Sequence, residues 1–276
     1  MQLSKQYNYP AWLLFILAMG VWSFAIGGHE LLGHGGVCAI DFGCDWLYAD
    51  AMYFEGSRRN GFMMHLNRAG GSIFNFLFAI VAVLLLWRKP LINHLFRLVL
   101  WMSLTVNLFQ SGSYIGFGWL IHPGMDWAKL SLLMPQAYGH IVVTLLGGII
   151  ITAGFVLSRC FYPAENNLKS KLKMLVIPLL GCAFVAITAS IVMPTDDRVL
   201  MIQGGIGGSL GFLFWMIILA FLPMPRSRRS LEIVDTIQLT NSQEKPKLSL
   251  QTKLILLSIL LTAFYLGVLT PGINFS

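Results

Sequence analysis

The chain has 276 residues, of which 56% are hydrophobic and only 11% are charged, and its formal net charge is +7. Soluble domains carry about 25% charged residues, and one soluble core of this size cannot enclose so much apolar surface. A bilayer accommodates that surface, because lipid replaces water around outward-facing side chains. The basic residues lie between apolar runs, where they orient helices and meet anionic lipid, so we expect no nucleic-acid partner.

Apolar runs recur along the whole chain, and each has about the length that crosses a bilayer. They cover residues 11–29, 72–87, 97–119, 138–158, 173–193, 203–223 and 252–270. A spanning helix needs about 20 mostly apolar residues, and these runs are continuous, whereas the strands of a membrane barrel alternate. The sequence therefore predicts an all-α integral membrane protein with about seven transmembrane helices in contact with the lipid bilayer.

Two connecting segments stand out by composition. Residues 30–71 mix Gly, Asp, Cys and aromatic residues, which predicts a partly buried hairpin or re-entrant first loop. Cys38 and Cys44 share this segment and would form a disulfide if it faces an oxidising compartment; two free thiols are the alternative. Residues 224–251 are polar and predict a solvated linker before the last helix.

The first apolar run ends in a cluster of ionisable residues, His29, Glu30 and His34. Such groups are costly at membrane depth, so by default they mark a functional site. Neutral imidazole is a good zinc ligand, and an adjacent carboxylate can take a proton from a water that the metal activates. The cluster therefore has the groups that metal-assisted hydrolysis needs, with His29 and His34 as candidate ligands and Glu30 as a candidate base or ligand.

The spacing of the two histidines departs from the usual zinc motif. In His-Glu-x-x-His the histidines are four residues apart and share one helix face, whereas His29 and His34 are five apart. On an ideal α-helix they would diverge by about 140°. A π-bulge would bring them together, and unwinding at the glycines around His34 is an alternative. A strict α-helix would instead place Glu30 beside His34 as a third candidate ligand.

A second motif, Ala-Gly-Gly-Ser-Ile-Phe-Asn at residues 69–75, opens the next apolar run. With the first cluster, it resembles the site-2 protease family of intramembrane zinc metalloproteases. Those proteins carry a His-Glu-x-x-His helix, then an Ala-Gly-Pro-x-x-Asn-like helix start, then an Asp-Gly pair that completes the zinc site. Here Gly71 stands where proline is usual, Asn75 matches the asparagine, and Asp126 is followed by Trp127. The resemblance covers residues 25–127.

The resemblance implies a zinc-dependent intramembrane endopeptidase. Zinc would be held by His29, His34 and Asp126, Glu30 would act as the base, and Asn75 would contact the substrate. Within these residues, Asp126 also suits a helix N-cap, Asn75 suits a helix–helix hydrogen bond, and His122 is an alternative ligand. The implied substrate is a transmembrane helix that unwinds locally, because an intact helix hides its peptide bonds.

The resemblance also divides the chain. Residues 1–136 form a metalloprotease-like membrane core, and residues 137–276 add four transmembrane helices with the polar linker 224–251. This second part leaves room for a catalytically inactive relative, a transporter or an assembly factor. A membrane di-iron hydroxylase is disfavoured, because such enzymes cluster many histidines whereas the six His of this chain are spread along it.

The distribution of basic residues predicts the orientation. With seven spans, the N-terminus and the segments after the second, fourth and sixth runs share one side. Most Lys and Arg residues fall there, including Arg88, Lys89, Arg226, Arg228 and Arg229. Because positive loops stay cytoplasmic, we expect a cytoplasmic N-terminus and an extracytoplasmic C-terminus.

Overall fold

The computed structural model describes residues 9–40, 46–47, 52–53, 61–88, 93–121, 127, 133, 135–162, 168–192, 249–270 and 273–274. In chain order, its helices are α1 (Ala11–Gly28), a π-helix (His29–His34), α2 (Gly35–Ile40), α3 (Gly61–Trp87), α4 (His94–Ile121), α5 (Gln136–Cys160), α6 (Leu168–Val192), α7 (Leu250–Phe264) and a second π-helix (Tyr265–Leu269). Three strands of two residues each accompany them: β1 (Trp46–Leu47), β2 (Met52–Tyr53) and β3 (Ile273–Asn274).

Five helical segments of the described chain are long and apolar enough to cross a bilayer. They are Ala11–Ile40, Phe62–Trp87, Tyr138–Cys160, Leu168–Val192 and Leu250–Leu269. The prediction of a helical integral membrane protein is therefore confirmed, while the count of seven spans is not reached in this part of the chain. Of the two remaining predicted spans, 97–119 forms α4, and 203–223 lies outside the described residues.

Helix α4 has 28 residues and is about 42 Å long, yet it is less apolar than the five segments above. It packs against α1, α3 and α5, and its polar side chains are buried among them. Thr105 Oγ1 lies 2.9 Å from Ser158 Oγ, and Ser111 Oγ donates to the Ser72 carbonyl at 2.8 Å. The lower hydropathy of α4 therefore follows from its interior position, because neighbouring helices satisfy its polar groups.

Helix α1 contacts α3, α4, α6 and α7. Its partner α7 runs parallel to it: Gly20 faces Ser258, and Ser23 Oγ donates to Thr262 Oγ1 at 3.3 Å one turn further on. Helix α6 runs in the same direction. Its early residue Leu175 shares a core cluster with Leu254 of α7, and a later pair, Val185 and Tyr265, shares another. Three parallel helices thus pack side by side.

Helices α3, α4 and α5 complete the bundle as successive antiparallel neighbours. Helices α4 and α5 approach closely, because a Cβ on Gly147 would lie 2.4 Å from Gly116 Cα. Gly112 lies one turn before Gly116 and also faces Gly147. Small residues at these crossings let the backbones approach, which is how membrane helices gain packing energy without a hydrophobic driving force.

Both ends of the predicted first loop, residues 30–71, are helical in the structure. The first helix continues from Ala11 through the π-helix to Ile40, and α3 begins at Gly61, so the connection spans only 41–60. Within it, β1 pairs antiparallel with β2 and also with β3 near the C-terminus, through Trp46↔Tyr53 and Trp46↔Asn274. In the helical parts, His34 and Asn67 face each other across the helix interface, and the C-terminal strand lies on the same side as the connection.

Candidate metal centre

The first helix changes from α to π geometry at His29, and the π-helix ends at His34. Hydrogen bonds in a π-helix join residues five apart, so one turn takes up one additional residue. His29 and His34 therefore lie on the same helix face, one turn apart, as residues four apart do in an α-helix. Their ring centroids are 5.0 Å apart. The π-bulge and an unwound turn were both compatible with the spacing of the histidines, and the structure has π-helical geometry.

Glu30 joins the two histidines in a compact, buried group. The ligand atoms of His29, Glu30 and His34 all lie within 4.8 Å of one another, and His29 Nε2 is 3.9 Å from Glu30 Oε1. The three residues are 2%, 4% and 5% exposed. Buried ionisable groups need partners, and a divalent cation is one that two imidazoles and a carboxylate suit well.

The orientation of His34 is fixed by the backbone of α3. His34 Nδ1 lies 2.6 Å from the carbonyl oxygen of Asn67, which can only accept, so Nδ1 carries the proton. The Asn67 amide in turn donates to the His34 carbonyl at 2.9 Å. In the neutral imidazole with this tautomer, the lone pair is on Nε2. Metal-binding histidines characteristically donate their other ring N–H in this way, so His34 fits a metal ion.

His29 contacts α3 and α4. The amide nitrogen of Asn75 lies 3.2 Å from His29 Nδ1, and the ring of Tyr114 meets the imidazole edge-on with centroids 5.3 Å apart. Rotating the Asn75 amide by 180° would present its oxygen to an Nδ1–H, the tautomer in which Nε2 binds a metal. Asn75 is fully buried and contacts His29 at Nδ1, the ring nitrogen opposite the proposed metal-binding Nε2.

Paired glycines let α3 approach the π-helix closely. A Cβ on Gly33 would lie 2.4 Å from Gly71 Cα, and one on Gly70 would lie 2.5 Å from the Gly33 carbonyl. A Cβ on Gly71 would lie 2.3 Å from His29 Nε2. The absence of a side chain at Gly71 therefore leaves the space that the His29 ring occupies.

Asp126 and the alternative ligand His122 lie outside the described residues, as does Cys44. Trp127, which follows Asp126, is described, and its indole N–H donates to Ser72 Oγ at 3.0 Å. Ser72 is adjacent to Gly71, so this side chain lies against α3 near the histidines. Cys38 is disulfide-bonded.

Asn67 and Tyr114 were missed in the sequence, although each contacts a histidine of the cluster. Asn67 lies in a segment that we expected to be a loop, which removed it from any helical pattern. With α3 beginning at Gly61, Asn67, Gly71 and Asn75 recur every four residues and share one helix face. That periodicity would have identified Asn67. The sequence holds no comparable signal for Tyr114, which reaches His29 from α4.

No protein-family model matches this chain, and neither does any curated protein or solved structure. The fold and the site together define an integral membrane protein with a buried His–Glu–His cluster. Its function has to be argued from that cluster.

Proposed function

We propose that this protein is an intramembrane zinc metalloprotease that hydrolyses transmembrane or membrane-proximal peptide bonds. The observation that carries the proposal is the convergence of His29, Glu30 and His34 ligand atoms within 4.8 Å on one buried π-helix. The hydrogen bond from His34 Nδ1 to Asn67 supports it, because metal-binding histidines characteristically donate one ring N–H to such an acceptor.

In this proposal His29 and His34 hold zinc, and Asp126 supplies the third ligand. The Trp127–Ser72 hydrogen bond supports the last assignment, because it ties the residue after Asp126 to the helix that faces the histidines. Zinc, when bound, would polarise the substrate carbonyl and lower the pKa of the attacking water. Glu30 takes one proton from that water as its oxygen bonds to the carbonyl carbon, and delivers it to the amine when the C–N bond breaks.

The proposed substrate is a transmembrane helix that unwinds near the site. Leu32 lies on the same π-helix as the histidines and is 55% exposed, and Ile73 on the facing helix α3 is 40% exposed. Both elements that hold the cluster therefore also carry apolar side chains that are exposed to lipid. A helix approaching through the bilayer must still open its backbone, because its peptide bonds are otherwise hidden in hydrogen bonds.

Purified protein is expected to contain about one zinc ion per chain, because the cluster offers one set of ligands. The double substitution His29→Ala, His34→Ala should remove that zinc. His94→Ala is the matched control: His94 is exposed at the start of α4 and should not alter zinc content. Elemental analysis of the three proteins decides the matter, and equal, negligible zinc in all of them would contradict the proposed function.

The proposed topology has seven spans, with the N-terminus in the cytoplasm. Helices α6 and α7 run in the same direction, so the chain between them has to return across the bilayer. The apolar run 203–223 lies between them and has a suitable length. The pairing of β1 with β3 agrees with this topology, because it joins the first connection to the C-terminus on one side.

Cysteine labelling tests this orientation. In a Cys160→Ser background, a Ser242→Cys substitution in the segment 224–251 should react with a membrane-impermeant maleimide only after the cells are permeabilised. Ser276→Cys, at the opposite side in this topology, should react in intact cells. Labelling in the reverse pattern would invert the proposed orientation without affecting the proposed chemistry.

A further inference from the structure

Helices α3 and α4 bury two asparagine side chains at the same level of the bundle. The two helices are antiparallel, and Ser111 Oγ of α4 donates to the Ser72 carbonyl of α3 at 2.8 Å. One turn further along α3 lies Asn75, and one turn back along α4 lies Asn107. Both residues are 0% exposed. Both polar side chains thus lie about one turn from this contact between α3 and α4, shielded from solvent and lipid.

Each of these amides has a carbonyl oxygen that lacks a donor among the described residues. The Asn107 amide nitrogen donates to the Ser103 carbonyl at 2.8 Å, which fixes the amide and directs Oδ1 elsewhere. No described residue donates to Asn107 Oδ1, to Asn75 Oδ1 or to Oε1 of Gln110, which lies three residues along α4. Buried acceptors of this kind are rare in folded proteins, and inside a bilayer bulk water cannot reach them.

We propose that a bound water molecule bridges the side-chain amides of Asn75 and Asn107 between α3 and α4. Water carries two O–H donors and also accepts, so it satisfies Asn107 Oδ1 and either orientation of the Asn75 amide. Internal waters typically bridge buried polar groups that direct contacts leave unsatisfied. Because Asn75 contacts His29, the water makes Asn107 a positioning residue for the proposed metal centre. That second role rests on the proposed function, while the water site does not.

A structure of the wild-type protein in lipid, at a resolution that shows ordered water, tests the site directly. We expect a solvent peak about 2.7–3.2 Å from Asn107 Oδ1 and from the amide of Asn75. A dry interface would overturn the proposal, as would a direct hydrogen bond between the two amides. A peak with several oxygen neighbours at distances shorter than hydrogen bonds would also overturn it, since it would be a cation.

The variant Asn107→Leu tests the link to the metal. Leucine has a similar size to asparagine but no polar group, so the solvent peak should disappear. Zinc should bind about tenfold more weakly, which is the lower end of the loss in affinity seen when a residue that orients a metal ligand is removed. Ser103→Ala is the matched control, since Asn107 donates to the backbone of residue 103, and it should retain both peak and affinity. Loss of the peak with unchanged affinity would refute the positioning role. If the wild-type protein contains no zinc, that result contradicts the metal centre but not the water site. If Asn107→Leu does not fold, the solvent peak in the wild-type structure still tests the water site.

Discussion

Replacing Glu30 by glutamine is expected to lower the rate of peptide-bond hydrolysis by about 10²–10⁴-fold while zinc stays bound. Glutamine matches glutamate in size and fits the same buried position, but it cannot accept the proton of the attacking water. Both histidines remain, and the hydrogen bonds of His34 to Asn67 do not involve Glu30. The substitution therefore removes the base and leaves the proposed ligands in place.

Two readouts are needed for this variant: cleavage of a transmembrane-helix substrate in proteoliposomes, and zinc content. Substrates can be found as membrane proteins that accumulate uncleaved in cells expressing Glu30→Gln. Glu244→Gln, in the polar segment 224–251, is the matched control and should retain activity. Loss of zinc from Glu30→Gln would make Glu30 a ligand, as its place in the 4.8 Å group also permits. The cluster would then hold a metal without a base, which favours a catalytically inactive protein.

The second large effect is expected for Gly71→Ala, which should weaken zinc binding by about 10–100-fold or more. The added methyl would lie 2.3 Å from His29 Nε2 and 2.4 Å from Cδ2, so the imidazole has to move away from its present position. Gly33 contacts Gly70 and Gly71 at the same crossing, so the added methyl would lie where the backbones of α3 and the π-helix already pack closely. Forcing one methyl into such a contact typically costs about 1–3 kcal/mol in stability.

Gly36→Ala is the control for this experiment. Gly36 lies two residues beyond His34 in α2, and a Cβ there meets nothing within 4 Å. Alanine also favours helix by about 1 kcal/mol over glycine, so this variant should fold at least as well as wild type. Zinc titration of both variants, alongside thermal melting of their metal-free forms, separates a displaced ligand from a destabilised fold. Wild-type zinc affinity in a well-folded Gly71→Ala protein would show that His29 is not a ligand.

Much of the helical framework is readable from the sequence because bilayer thickness imposes a length on every span. Five of the predicted runs correspond to apolar helices in the described chain. Three of them agree within five residues at each end, whereas the first helix continues to Ile40 and the second begins about ten residues before the predicted start. The run 97–119 also forms a helix, but its burial between other helices was not readable, since hydropathy cannot distinguish a neighbouring helix from an aqueous surface. The same ambiguity made residues 30–40 and 61–71 look like parts of a loop, although His34 and Asn67 hydrogen-bond to each other across a helix interface.

The sequence by itself determined the class of protein and the identity of the ionisable cluster. Long apolar runs require a bilayer, and His29, Glu30 and His34 at the end of such a run require partners. Only the tertiary structure decided how that cluster is arranged. A π-helix and an unwound turn satisfy the same spacing, and the choice between them depends on α3, whose Asn67 holds His34 and whose Gly71 leaves space for His29. These contacts join residues more than 30 positions apart, where local periodicity carries no information, and packing of the two helices alone brings them together.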